Sequence, residues 1–362
     1  MDGLTDYIKW LGRFSFREYP MNDVDALVMC VISYFDLSPA LRGREGQTVT
    51  VADCREALEN DAVSLQITGG DMGNSGVLRA AMESKRFGAL RVEEYVDVLK
   101  PEVPLQFAAV TFSDGGDVNF LAFRGTDETI AGWEEDFMIA FTETEAQKMA
   151  LDYAARVLRP GRRSRMGGHS KGGNLALYAA CLLPEEAWER LDRVYILDGP
   201  GLCPEVMDTS NLGRVDQKAV RIVPAFDVVG KLFEPKITDT RIVRSSQSGI
   251  LQHSLATWGV EYGELARAEE HDRRSVVLMN VLNRWIESLS QEERRTLVRD
   301  LFGSLAAGGA VSLSDVAGGG PEGFEAVLMR MFHASDTTKR IMKDLPAQAV
   351  SALRERLRPA GD

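Results

Sequence analysis

The chain has 362 residues, 44% of them hydrophobic, and a net charge of −12, with an isoelectric point near 5.0. A surplus of carboxylates argues against nucleic acid as a partner, because phosphate binding needs clustered Lys and Arg, and against electrostatic docking on anionic lipid. The length allows two domains, or one large α/β domain with additions, and a core able to hold a buried site without disulfides.

The amino terminus, MDGLTDYIKWLGRF, is acidic early and has no continuous apolar run, so it does not read as a signal peptide. No stretch of about 18 apolar residues occurs, and no integral membrane association is expected. Cys30, Cys54, Cys181 and Cys203 form no C-x-x-C pair and no metal-ligand spacing. Scattered thiols in a long chain read as buried and reduced, which points to the cytoplasm. No H-E-x-x-H motif or His/Cys cluster calls for a metal, and no cofactor is expected.

No internal repeat appears. Residues 1–104 read as a mainly helical region. Val24–Phe35 is apolar enough for a buried helix, with Asn22 or Asp23 as its cap. Gly69–Gly76 is a turn-rich break. From 105 the pattern changes. Phe107–Phe112 and Val118–Phe123 read as two strands joined by the turn Ser113–Asp117. Helix and strand then alternate: a helix over Glu143–Leu158, a Gly-ended strand over Ser164–His169, an apolar helix over Gly172–Leu183, and strands over Arg193–Leu197, Ala219–Pro224 and Thr240–Arg244. Such alternation implies a mostly parallel sheet covered on both faces, occupying 105–262. Residues 263–362 read as a helical extension, with amphipathic helices over Ser275–Leu289 and Gln291–Leu305 and a Gly-rich loop over Ala307–Gly320.

The strand ending at His169 runs into Gly168-His169-Ser170-Lys171-Gly172, a G-x-S-x-G sequence between strand and helix. This is the pattern of a nucleophile elbow in an α/β-hydrolase. Alone it is weak, and a Gly-rich strand-to-helix turn with an inert serine is the alternative. The strand before it, the apolar helix after it and Gly173 favour the elbow. Gly168 and Gly172 let the backbone turn sharply while neighbouring elements pack close. Ser170 then stands clear of the sheet, and the next helix aims its free N–H groups at a developing negative charge.

A serine nucleophile needs a base, and the base needs an orienting acid. There are only four histidines. His169 adjoins the nucleophile and points away from the reacting hydroxyl, so it packs or shapes the site instead. His271 lies in a charged stretch and His333 in a carboxy-terminal helix. His253 follows the strand Thr240–Arg244 through a polar loop and is the candidate base. Chain order Ser–acid–His leaves Asp227 and Asp198. Counting strands favours Asp227; Asp198, the alternative acid, heads the turn Asp198-Gly199-Pro200-Gly201, where an Asx role competes. For the oxyanion hole, one donor is the amide of Lys171. The other is the amide of Thr126, in Arg124-Gly125-Thr126, where Gly125 permits a tight approach. A Ser-Lys dyad using Lys171 is disfavoured, because a lysine beside the nucleophile projects outward.

Phe123-Arg124-Gly125-Thr126, Gly132-Trp133, Asp136 and Gly168-His169-Ser170-Lys171-Gly172-Gly173 together resemble the core of class 3 lipases. With Gln106–Val110, Asp198–Gly201 and His253-Ser254-Leu255 followed by Trp258, the resemblance narrows to a mainly bacterial branch of that superfamily and covers roughly residues 5–260. It implies an α/β-hydrolase fold, a triad of Ser170, Asp227 and His253, an oxyanion donor at Thr126, and structural roles for Arg124, Trp133 and Asp136. It does not imply a substrate; a small-molecule acyl ester is the expectation from the ordered triad and the two oxyanion candidates. Secreted members carry disulfides and a signal peptide; their lack here argues against bulk triglyceride. A thioesterase, acyltransferase or peptidase could use the same triad, and a non-catalytic binding module is the rival outside enzymes. Residues 199–216 and the amino-terminal helices are the candidate lids. Oligomeric state is not encoded.

Overall fold

The computed structural model describes residues 2–56, 73–100, 105–126, 138–140, 142–203, 206 and 210–307. The first four residues of the expected Gly69–Gly76 break, Trp133, Asp136, His333 and the Gly-rich stretch beyond Ala307 lie outside them.

Helices open the chain. α1 (Leu4–Leu11) buries Leu4, Tyr7, Ile8 and Leu11, one apolar stripe at helical spacing. α2 (Asp23–Ile32) is capped by Asn22, whose side chain accepts from Asp25 N while Asp25 accepts in return from Asn22 N. Every residue of α2 from Val24 onward is buried, as its unbroken apolar run demands. α3 (Asn74–Glu83) packs on both.

A seven-stranded sheet follows in strict chain order, β1 to β7. β1 (Arg91–Lys100), β2 (Leu105–Ser113) and β3 (Asn119–Phe123) form an antiparallel meander. After α4 (Glu145–Val157), capped by Thr144, comes β4 (Ser164–His169). α5 (Lys171–Leu182) leads to β5 (Leu191–Leu197), and α6 (Ser210–Asp216) to β6 (Ala219–Pro224) and β7 (Thr240–Val243). β3 through β7 are parallel neighbours. This is the α/β-hydrolase class of architecture expected from the sequence.

The strand order decides where the helices go. Right-handed crossovers between sequential neighbours put every connecting helix on one face. There α4 and α6 both pack on α5, over Phe107, Ala109, Leu121, Phe123, Met166, Val194 and Ile196. The alternating residues Val110, Phe112, Phe120, Ala122, Tyr195, Leu197, Val220 and Ile222 face the other way. No crossover helix can cover them. α1, α2 and α3 do, and share one core with that face.

β1 brings the start of the sheet forward from 105 into the stretch read as mainly helical. It hydrogen-bonds along β2 as an edge strand, with a bulge between Glu93 and Val96 and Glu94 at φ 53°. Bulge and charges suit an edge, because they discourage pairing with another chain. Beyond the sheet, α7 (Arg273–Glu287) and α8 (Gln291–Ala307) form the expected pair of helices. They build a smaller core with Ala140, Cys203 and Leu232. All four cysteines are buried and free. Among the described residues no helix is long and apolar enough to cross a membrane, and no His/Cys/Asp/Glu cluster could hold a metal ion.

Candidate active site

Ser170 sits between β4 and α5 with φ 57° and ψ −126°, a conformation costly for a side-chain-bearing residue. The surroundings hold it there. Ser170 N donates to Leu197 O, and Ser170 O accepts from Gly173 N and Asn174 N. The glycines are space requirements. A Cβ on Gly172 would overlap Phe123 O, and one on Gly168 would overlap Gly172 itself. Gly173 and Gly199 are in mutual backbone contact, bringing the turn after β5 against the elbow. Gly125 serves the loop after β3 in the same way: a Cβ there would overlap the Tyr34 hydroxyl and lie 2.7 Å from His169 O. Thr126, half-buried, follows directly.

Arg124 anchors that loop. Its guanidinium makes two 2.8 Å bonds to the carboxylate of Asp97 on β1, and only 7% of its side chain is exposed. Lys171 departs from expectation: it is 1% exposed and does not project into solvent. Its place as first residue of α5 still puts its amide at the helix amino terminus.

His253 ends a short 3₁₀ turn (Gly249–His253) with no buried residues. That loop is tied down by hydrogen bonds instead. Phe226 N donates to Gln252 Oε1, and Trp258 Nε1 donates to Gln252 O. The His253 ring bonds through Nδ1 to Asp198 Oδ2 at 2.6 Å.

The partner of His253 is therefore Asp198, and the preference for Asp227 is corrected. β5 is hydrogen-bonded to β4 with His169 opposite Leu197, so the residue after β5 stands level with Ser170, one strand away. Asp198, at φ 44°, also accepts from Gly230 N. Its side chain reaches other loops instead of closing its own turn as an Asx residue. Asp227 lies beyond the next strand, and Arg221 in the middle of β6 takes it at 2.8 Å, with neither side chain exposed. Lys231 N also donates to Asp227.

The two carboxyls titrate in opposite directions. Burial alone would raise Asp198, but the charge and hydrogen bond of His253, with a hydrogen bond from Asp227, hold it below the usual carboxylate range. Burial and the neighbouring Asp198 charge push Asp227 well above that range, against the pull of Arg221. Arg221 also pairs with Glu234, whose carboxyl is held low: burial raises it, but Arg221 and Lys231 outweigh that.

His169 is buried, and desolvation together with the neighbouring His253 lowers its pKa to about 3. Its ring lies 4.4 Å from that of His253, centroid to centroid, inclined by 37°. Asn174 is a site residue that the sequence reading missed. Buried in α5, it donates to Pro200 O and Gly201 O and accepts from Gln147. It pins the turn that carries Asp198. Its signal was available: one amide in the apolar run Gly172–Leu183 needs a partner. Burial lowers the pKa of His271, which also feels the charges of Lys231, Arg221 and Glu234; its ring Nδ1 is buried with no hydrogen-bond partner among the described residues.

Comparison with known proteins adds a family. A crystal structure of M37 lipase is similar over 58% of this chain and 70% of its own, at 15% identity and a TM-score of 0.38. No curated protein matches. Residues 81–303 match the family model described as Mbeg1-like. That match spans more than half of the chain, which belongs to the Mbeg1-like family.

Proposed function

We propose that this protein is a lipase-like serine hydrolase that cleaves a carboxylic ester through an acyl-enzyme on Ser170. The observation that carries the reading is the 2.6 Å bond between His253 Nδ1 and Asp198 Oδ2, made beside a serine in elbow geometry. Asp198, its carboxyl held below the usual range, accepts a hydrogen bond from Nδ1–H and fixes that tautomer. The lone pair is left on His253 Nε2, the nitrogen a general base uses. In this mechanism His253 Nε2 takes the Ser170 proton as the hydroxyl attacks the ester carbonyl. The amides of Lys171 and Thr126 hold the oxyanion. His253 then protonates the leaving alcohol, and water releases the acyl group by the same route.

Asp227, bonded to Arg221, is not the triad member in this reading. Buried thiols and the acidic surface fit a soluble protein of the cytoplasm. The test is hydrolysis of a p-nitrophenyl ester panel by the wild type and Ser170→Ala, with labelling by a fluorophosphonate probe. Turnover and labelling that vanish in Ser170→Ala are expected. Equal behaviour of the two proteins overturns the assignment of Ser170.

A further inference from the structure

His169 carries two hydrogen bonds that a mere spacer beside the nucleophile would not need. Its Nδ1 lies 2.7 Å from the Tyr34 hydroxyl and its Nε2 lies 2.8 Å from the backbone oxygen of His253. A carbonyl oxygen can only accept, so Nε2 must carry the proton. The ring is neutral, because burial beside His253 disfavours its charged form. Nδ1 is then the acceptor, and Tyr34 donates to it. Each partner fixes the tautomer that the other requires.

We propose that Tyr34 and His169 form a positioning relay that sets the place of His253 relative to Ser170. The proposal rests on the hydrolase reading above and names how its base is held. His169 is covalently joined to Ser170, so its bond to His253 O ties the base's backbone to the nucleophile's own strand. The Gly249–His253 turn has no buried residues to hold it by packing. The His169 ring, tilted by 37° and 4.4 Å away, packs against the ring of the base. Tyr34 comes from the turn after α2, so the amino-terminal helices supply a member of the site. Gly125, whose Cα backs on both the Tyr34 hydroxyl and His169 O, leaves room for the relay.

The variants are Tyr34→Phe, His169→Met and His169→Gln. Glutamine places an N–H near the position of Nε2; methionine fills similar space without one. With p-nitrophenyl butyrate, His169→Met should lose between about 10- and 100-fold in kcat, the scale of a small misplacement of a reacting group, with KM little changed. His169→Gln should recover most of that loss, and Tyr34→Phe should fall between. A packing role alone predicts no rescue by glutamine. A second readout is independent of catalysis. In 15N-histidine-labelled protein the four histidines give separable ring signals, and His169 should show Nε2–H with bare Nδ1 from about pH 5 to 8. Tyr34→Phe should mix the tautomers. An Nδ1–H tautomer in the wild type, or a fully active and stably folded His169→Met, overturns the relay. A wild type that shows the expected tautomer but neither turns over nor labels at Ser170 overturns the hydrolase reading instead.

Discussion

Arg221 and Asp227 meet at 2.8 Å with no solvent on either side chain, and that contact separates the two aspartates of the site. His253 is left to Asp198. Asp227, raised by burial and by its neighbour's charge, holds its proton above the ordinary carboxylate range.

The two aspartates should therefore answer differently to the same substitution. Asp198→Asn keeps the shape but forces the wrong tautomer on His253, and kcat on a p-nitrophenyl ester should fall by about 10³–10⁴. Asp227→Asn alters a group that bonds to Arg221 and not to His253, and kcat should stay within about tenfold of wild type. The reverse ranking would return the acid's role to Asp227.

The depressed titration of His169 has a consequence for acid stability. An unfolded histidine binds a proton below about pH 6.5, whereas folded His169 stays neutral down to about 3. Between those values the unfolded state binds more protons. Stability from this group is complete above about pH 6.5 and is lost as pH falls toward 3, with a limiting slope of about 1.4 kcal/mol per pH unit. Urea unfolding at a series of pH values should show His169→Gln with a flatter acid limb than wild type. Parallel limbs would mean that His169 is already charged in the folded protein.

Gly172 and Gly213 make a matched pair. At Gly172 an added methyl meets the backbone of Phe123, so β3 or the elbow must shift; at Gly213, in α6, it meets nothing within 4 Å among the described residues. Gly172→Ala should cost about 1–3 kcal/mol or more in urea unfolding and lower the fluorophosphonate labelling rate. Gly213→Ala should be neutral or gain up to about 1 kcal/mol.

Asp25 is the polar centre of the amino-terminal helices. It caps α2, accepts from Tyr7 and holds Arg86 in a pair whose side chains are fully buried. Asp25→Ala strands the Arg86 charge and should destabilise the fold by about 3–5 kcal/mol in chemical denaturation. A loss under about 1 kcal/mol would mean that water reaches Arg86.

Much of this was legible beforehand because it rests on local pattern. The bounds of β4, the β2–β3 hairpin and the α4 and α5 helices follow from apolar periodicity and turn residues. Ser170 follows from five consecutive residues. His253 follows from having few histidines to choose among. What failed was lateral. Chain order fixes which strand comes next but not which loop stands level with the elbow, so counting strands selected Asp227. The charged residue inside Ala219–Pro224 was a readable warning: an arginine in a buried strand needs a carboxylate, and Asp227 is six residues on. β1 was hidden by Glu93-Glu94, where the bulge breaks the alternation that identifies a strand. Tyr34 could not be found at all, because nothing near it in the chain predicts a contact 135 residues away.

The strictly sequential sheet has a practical consequence. Trimming the protein to its family-matched stretch, 81–303, removes α1, α2 and nearly all of α3. A row of valines and phenylalanines, with Leu197 and Ile222, would then meet water across the sheet as one broad oily surface, far beyond what a soluble monomer tolerates. Such a fragment should collect in inclusion bodies. Added back as a separate peptide, the segment that was cut away has a ready-made seat to dock on.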